Sequence, residues 1–221
     1  ENAYGIHVSA SSIIRTLTNT GIISGTTTTT TTTGFGISVQ NGSSIDILTN
    51  TGTISGTNAG IYVDTFSSIG TFNNLQSGLT YAGKLPTNYS TIIQGDNYGQ
   101  LFVTGASGTT LYAPYGGGGD VGVYIKSGTY SQVITGVDAE DFNNEDLFGD
   151  LDEDRINSVG SVTWTLAENG TGIWDLATTG SYVYFGHANT QLALNQTAKN
   201  IGSVFQHMTA VGNFSMSSYN C

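Results

Sequence analysis

The side chains best equipped for chemistry in this chain are the nine carboxylates crowded between Asp138 and Asp154. Asp150, Asp152 and Asp154 alternate as the first three ligands of a calcium loop do. Arg155, however, stands where such a loop needs glycine, and Ser161 where it needs a bidentate glutamate. A complete calcium hand is excluded. Two readings remain: loose Ca²⁺ capture by Asp150, Asp152 and Asp154, or a solvated acidic loop. No cofactor is implied. Elsewhere, glycan cleavage would need paired carboxylates, or a base beside Arg or Lys. Asp46 and Asp64 fall ten and four residues beyond Gly36 and Gly60, so they do not pair. Arg15, ten beyond Gly5, is expected over Asp46 as a surface ion pair. His7, His187 and His207 are dispersed. No serine sits in a nucleophile elbow, no His/Cys set has metal spacing, and Gly116–Gly119 lacks the lysine of a phosphate cradle. The expectation is a non-enzyme, with a polysaccharide-degrading enzyme as the lesser alternative.

What must position these groups is a repeat. Gly5-Ile6-His7-Val8 aligns with Gly36-Ile37-Ser38-Val39 and Gly60-Ile61-Tyr62-Val63. Nine residues past each glycine stands Ile14, Ile45 or Ile69; twelve past, Leu17, Leu48 or Phe72; fourteen past, Asn19, Asn50 or Asn74. The second and third units start 24 residues apart, the first and second 31, the surplus falling at Thr26–Thr33. So short a unit cannot bury an apolar face alone and must stack on its neighbours. Its apolar pairs alternate (Ile6/Val8, Ile37/Val39, Ile61/Val63, Ile45/Ile47), as short strands do, with turn residues between them. Three strands and three corners in ~24 residues predict one rung of a right-handed parallel β-helix. Asn19, Asn50 and Asn74 would then share a corner and could form an amide ladder. The alternative is that each asparagine merely tolerates a left-handed turn.

Composition narrows the partners. Charged residues are 10% of the 221, the net charge is −11, and the five basic residues are scattered singly. Nucleic-acid binding, which needs clustered cations, is excluded, and an anionic membrane surface would repel the chain. Cys221 is the single cysteine, so no internal disulfide can form.

The repeats span residues 1–83. Residues 84–188 read as a continuation, with Ile92/Ile93 and Leu101/Val103 inward, Gly95-Asp96-Asn97 as a turn, and five further strands between Val121 and Phe185. The aromatics Trp164, Trp174, Tyr182, Tyr184 and Phe185 are expected to cap the end of the stack, or alternatively to offer a carbohydrate platform. Over residues 189–221, Leu194, Ala198, Ile201, Phe205 and Met208 form an apolar seam, predicting one amphipathic helix.

A threonine- and asparagine-rich β-helix, an aromatic cap and a closing helix together resemble the C-terminal part of an autotransporter passenger domain. Asn50-Thr51-Gly52-Thr53-Ile54-Ser55-Gly56 is typical of such repeats, and Tyr89–Gly105 and Gln191–Met208 resemble the region before the barrel. The resemblance implies a secreted protein of the Gram-negative cell surface, structural or adhesive in role. It also implies an outer-membrane β-barrel in the precursor; the barrel itself lies outside this sequence. No catalytic residue carries over. The expected partners are further copies joined head to tail into filaments or matrix, and a glycan or cell-surface receptor. Self-association is expected through Thr26–Thr33 or the open end, and through the helix seam at Ile201, Phe205 and Met208.

Overall fold

The computed structural model describes residues 2–28, 33–115, 123–144, 146–151 and 158–184. The first unit contributes β1 (Ala3–Val8), β2 (Ile13–Asn19) and β3 (Ile22–Gly25); the second, β4 (Gly34–Val39), β5 (Ser44–Asn50) and β6 (Thr53–Gly56). The third contributes β7 (Ala59–Val63) and β8 (Ser68–Asn74). Then come β9 (Leu79–Lys84), β10 (Asn88–Gln94), β11 (Asn97–Tyr98), β12 (Leu101–Ser107) and β13 (Leu111–Tyr115). The chain ends its described course with β14 (Val123–Ile125), β15 (Gly128–Thr135), β16 (Phe148–Leu151), β17 (Ser158–Glu168) and β18 (Ile173–Tyr184).

The protein is all-β with parallel sheets. Strands β1, β4, β7, β9, β12 and β15 run parallel in a first sheet, and β2, β5, β8, β10 and β13 in a second. A third sheet holds only β3 and β6. Identical offsets in sequence become neighbours in space: Ile14 pairs with Ile45 and Ile45 with Ile69, while Leu17, Leu48 and Phe72 line up three residues further along the same strands. Ile37, Ile45, Leu48, Ile61, Ile69 and Phe72 are wholly buried. Each such side chain contributes about 1.5–3 kcal/mol relative to exposure.

Three expectations need correction. Ile47 does not join Ile45 inside; it is 43% exposed, and Leu48 takes the interior place. The inward–outward alternation breaks at Asp46, which is exposed like Ile47 beside it, while the pairing offset stays the same on either side of it. The third unit has no third strand. In its place the Gln76 amide closes the edge of β6, its Oε1 accepting from Ile54 N (2.7 Å) and its Nε2 donating to Ile54 O (3.1 Å). And the two segments anticipated around Gly172–Leu176 and Tyr182–Phe185 are one long strand, β18, antiparallel to β15, β14 and β17. That antiparallel layer ends parallel growth of the first sheet. The anticipated helix over 189–208, with Ile201, Phe205 and Met208, lies outside the described residues, as do the Gly116–Gly119 loop, His187, His207 and Cys221.

Candidate functional site

Two polar columns run along the stack. At one corner Asn19 Nδ2 donates to Asn50 Oδ1 (2.8 Å), and Asn50 Nδ2 to Asn74 Oδ1 (3.1 Å). The second proton of each amide is also used. Asn19 reaches Thr53 O (3.2 Å), Asn50 reaches Gln76 Oε1 (3.1 Å), and Asn74 donates to Gln76 O (2.9 Å) and Gln100 O (3.3 Å). Asn50 and Asn74 are fully buried, so this satisfaction is what makes polar groups tolerable there. At another corner Ser12 N donates to Ser43 Oγ (3.1 Å) and Ser43 N to Ser67 Oγ (3.2 Å). Sequence reasoning missed this column, although Ser12, Ser43 and Ser67 all stand seven residues beyond their unit's glycine.

A third cross-unit tie is Asp64. Its carboxylate accepts from Asn41 N of the preceding unit (2.7 Å) and from Phe66 N (3.0 Å). Partial burial opposes its ionisation, but hydrogen bonds from the Ser67 side chain and the Asn41, Phe66 and Ser67 backbone outweigh it and hold the pKa below 3.8. A depressed carboxyl stabilises the fold above its unfolded pKa, and that contribution disappears as pH falls through the folded value. Asp64→Ala should therefore cost about 1–2 kcal/mol at neutral pH. In urea titrations the gap between variant and parent should close as pH drops below 3.8; a gap independent of pH would refute the charge's role.

The outer surface of the first sheet carries a row of rings: His7 on Tyr4 (centroids 4.5 Å), Tyr4 beside Phe35 (6.3 Å), and Phe35 on Tyr62 (4.7 Å), all within 23° of parallel. Their faces are spent on one another, so this row is no platform for a flat ligand. Nor are the tryptophans. Trp164 and Trp174 are 7% and 3% exposed. Trp174 Nε1 donates to Val137 O (2.7 Å), and its ring meets Phe142 edge-on. Trp164 packs edge-on against Tyr112. Tyr182 is buried as well, so the alternative of a carbohydrate platform fails for these three rings; Phe185 and the Tyr184 side chain lie outside the described residues.

Concavity arises instead beside the β10–β11 hairpin. Past Gln76 the chain turns at Gly78 into β9, and β11 folds back antiparallel on β10. Between them lies a cleft of about 350 Å³ lined by Leu75, Ser77, Asp96, Asn97 and Tyr98. Tyr98 is held from two sides: its ring meets Tyr130 edge-on (5.3 Å), and its hydroxyl donates to Ser131 O (3.1 Å). Asp96 Oδ1 pairs with the Lys126 ammonium, the one ion pair among the described residues. The Asn97 side chain has no protein partner among them.

The remaining candidates are scattered. Asp150 lies exposed on β16 opposite Thr163; Asp152 and Asp154 are outside the described residues. No three His, Cys, Asp or Glu among the described residues are placed to hold a metal. Arg15 and Asp46 form no ion pair. Thr26 is exposed, Thr33 N donates to Asn2 Oδ1 (3.2 Å), and the middle of the threonine run is not described. No described helix is long and apolar enough to cross a membrane. These features define an all-β protein of parallel sheets tied by amide and hydroxyl columns. No family model, curated protein or solved structure matches the chain.

Proposed function

We propose that this chain is a surface-displayed structural and adhesive module built as a right-handed parallel β-helix, akin to an autotransporter passenger domain. The observation that carries the reading is the order in which the chain visits its sheets. Successive strands enter the first, second and third sheets in turn, twice over, and return in register each time. Parallel crossovers in one sheet are right-handed in about 98% of cases, which supports the hand. A non-catalytic role fits the separated carboxylates of the repeats and a His7 stacked on Tyr4 rather than aimed at an acid or serine.

The partner this reading favours is a second copy, joined head to tail. Of 16 acidic residues, only Glu1, Asp46 and Asp64 precede residue 95, so the repeats are where copies repel least. Surface display is tested by treating intact producing cells with protease. Fragments of this chain should be released without lysis; recovery only after lysis would overturn the reading.

A further inference from the structure

We propose that the cleft between Ser77 and Tyr98 is a binding site for a neutral pyranose, the terminal or internal sugar of a glycan. The inference deepens the adhesive side of the preceding reading and rests on it.

The cleft lies between the turn after β8, which supplies Leu75 and Ser77, and the β10–β11 hairpin, which supplies Asp96, Asn97 and Tyr98. Its volume, about 350 Å³, lies at the small end of ligand sites and suits one or two sugar rings. The lining has the mixture a sugar needs. Leu75 and the Tyr98 ring offer apolar surface to the C–H face of a pyranose, whose slightly positive hydrogens suit the negative face of an aromatic ring. Asp96, Asn97 and Ser77 offer acceptors and donors for hydroxyls around the ring edge. A carboxylate next to an amide can take two adjacent hydroxyls, one as acceptor and one as either.

One feature shows preparation for a ligand, and a second supplies its polar contacts. Tyr98 is fixed by Tyr130 and Ser131, so little side-chain freedom is lost on binding. Lys126 pairs with one oxygen of Asp96, whose side chain is 88% exposed, so the other oxygen and the exposed Asn97 amide face solvent, where sugar hydroxyls can replace water. The surrounding charge selects against acidic sugars: the chain carries a net −11, and Lys126, already paired with Asp96, is not a free cation for a uronate.

The test uses the full chain with methyl β-glucopyranoside, methyl β-galactopyranoside and methyl N-acetyl-β-glucosaminide as neutral probes, and glucuronate as the charged comparison. Binding is followed by shifts of the Asn97 side-chain amide and Tyr98 ring resonances. At least one neutral probe should bind saturably, with Kd on the order of 1 mM as fits so small a contact, and glucuronate should bind more weakly. Asn97→Ala should weaken binding about tenfold or more, and Asp96→Asn likewise, with thermal midpoints unchanged. Absence of saturable shifts with every neutral probe overturns the proposal, as does affinity that survives Asn97→Ala. The scaffold reading fails separately, by the location of the chain on cells.

Discussion

Asn50→Asp should destabilise the fold by about 3–5 kcal/mol, the cost of a buried charge without a partner, although it changes one group of equal size. The side chain is fully buried and its Nδ2 donates twice, to Asn74 Oδ1 and Gln76 Oε1, both at 3.1 Å. An aspartate has no protons to give there. It would set a carboxylate oxygen against two acceptors, so repulsion adds to desolvation. Asn19 Nδ2 would still find an acceptor, which locates the damage on the Asn74 side of the column. Protonation restores one donor, so the variant should regain part of its stability as pH falls through a carboxyl pKa raised by burial. That trend is opposite in sign to the one expected for Asp64. Equilibrium urea unfolding across pH reads both. A substitution costing under about 1 kcal/mol at neutral pH would mean that the column carries little of the stability.

The same residues explain how far sequence alone could be followed. Ile14, Ile45 and Ile69 were legible because parallel stacking puts equal offsets opposite one another, so the chain repeats its chemistry wherever neighbours must match. Ile47 was not. Its outward turn follows a break of alternation at Asp46, and the nearest sign of that break is Gly70 one unit away, where a Cβ would lie 2.6 Å from Asp46 O. Gln76 hides for another reason: one side-chain amide imitates a strand edge, and no periodicity marks a single residue. The cleft was hidden too, because it joins residues some twenty positions apart, Leu75 and Ser77 with Asp96, Asn97 and Tyr98, that only the tertiary fold brings together. Trp164 and Trp174 were read correctly as heavy aromatic load, but burial against Tyr112 and Phe142 is a matter of tertiary packing. The serine column was visible at a constant offset, yet serine is common in turns, and a weak turn signal concealed a specific one.

Gly52→Ala and Gly21→Ala should have opposite consequences, though both alter the glycine of a Leu-Thr-Asn-Thr-Gly phrase. A Cβ on Gly52 would lie 2.1 Å from Gly21 O and 2.8 Å from Gly21 N, a collision with backbone that no rotamer change relieves. The two units must separate at that corner, where Thr53 N donates to Gly21 O (2.8 Å) and the asparagine column begins. Loss of this bond together with overpacking should cost about 3 kcal/mol or more. A Cβ on Gly21 meets nothing within 4 Å, because no described unit lies beyond the first. Its replacement should change stability by less than about 0.5 kcal/mol. Equal stability losses in the two variants would mean that the collision at Gly52 is not what carries the cost.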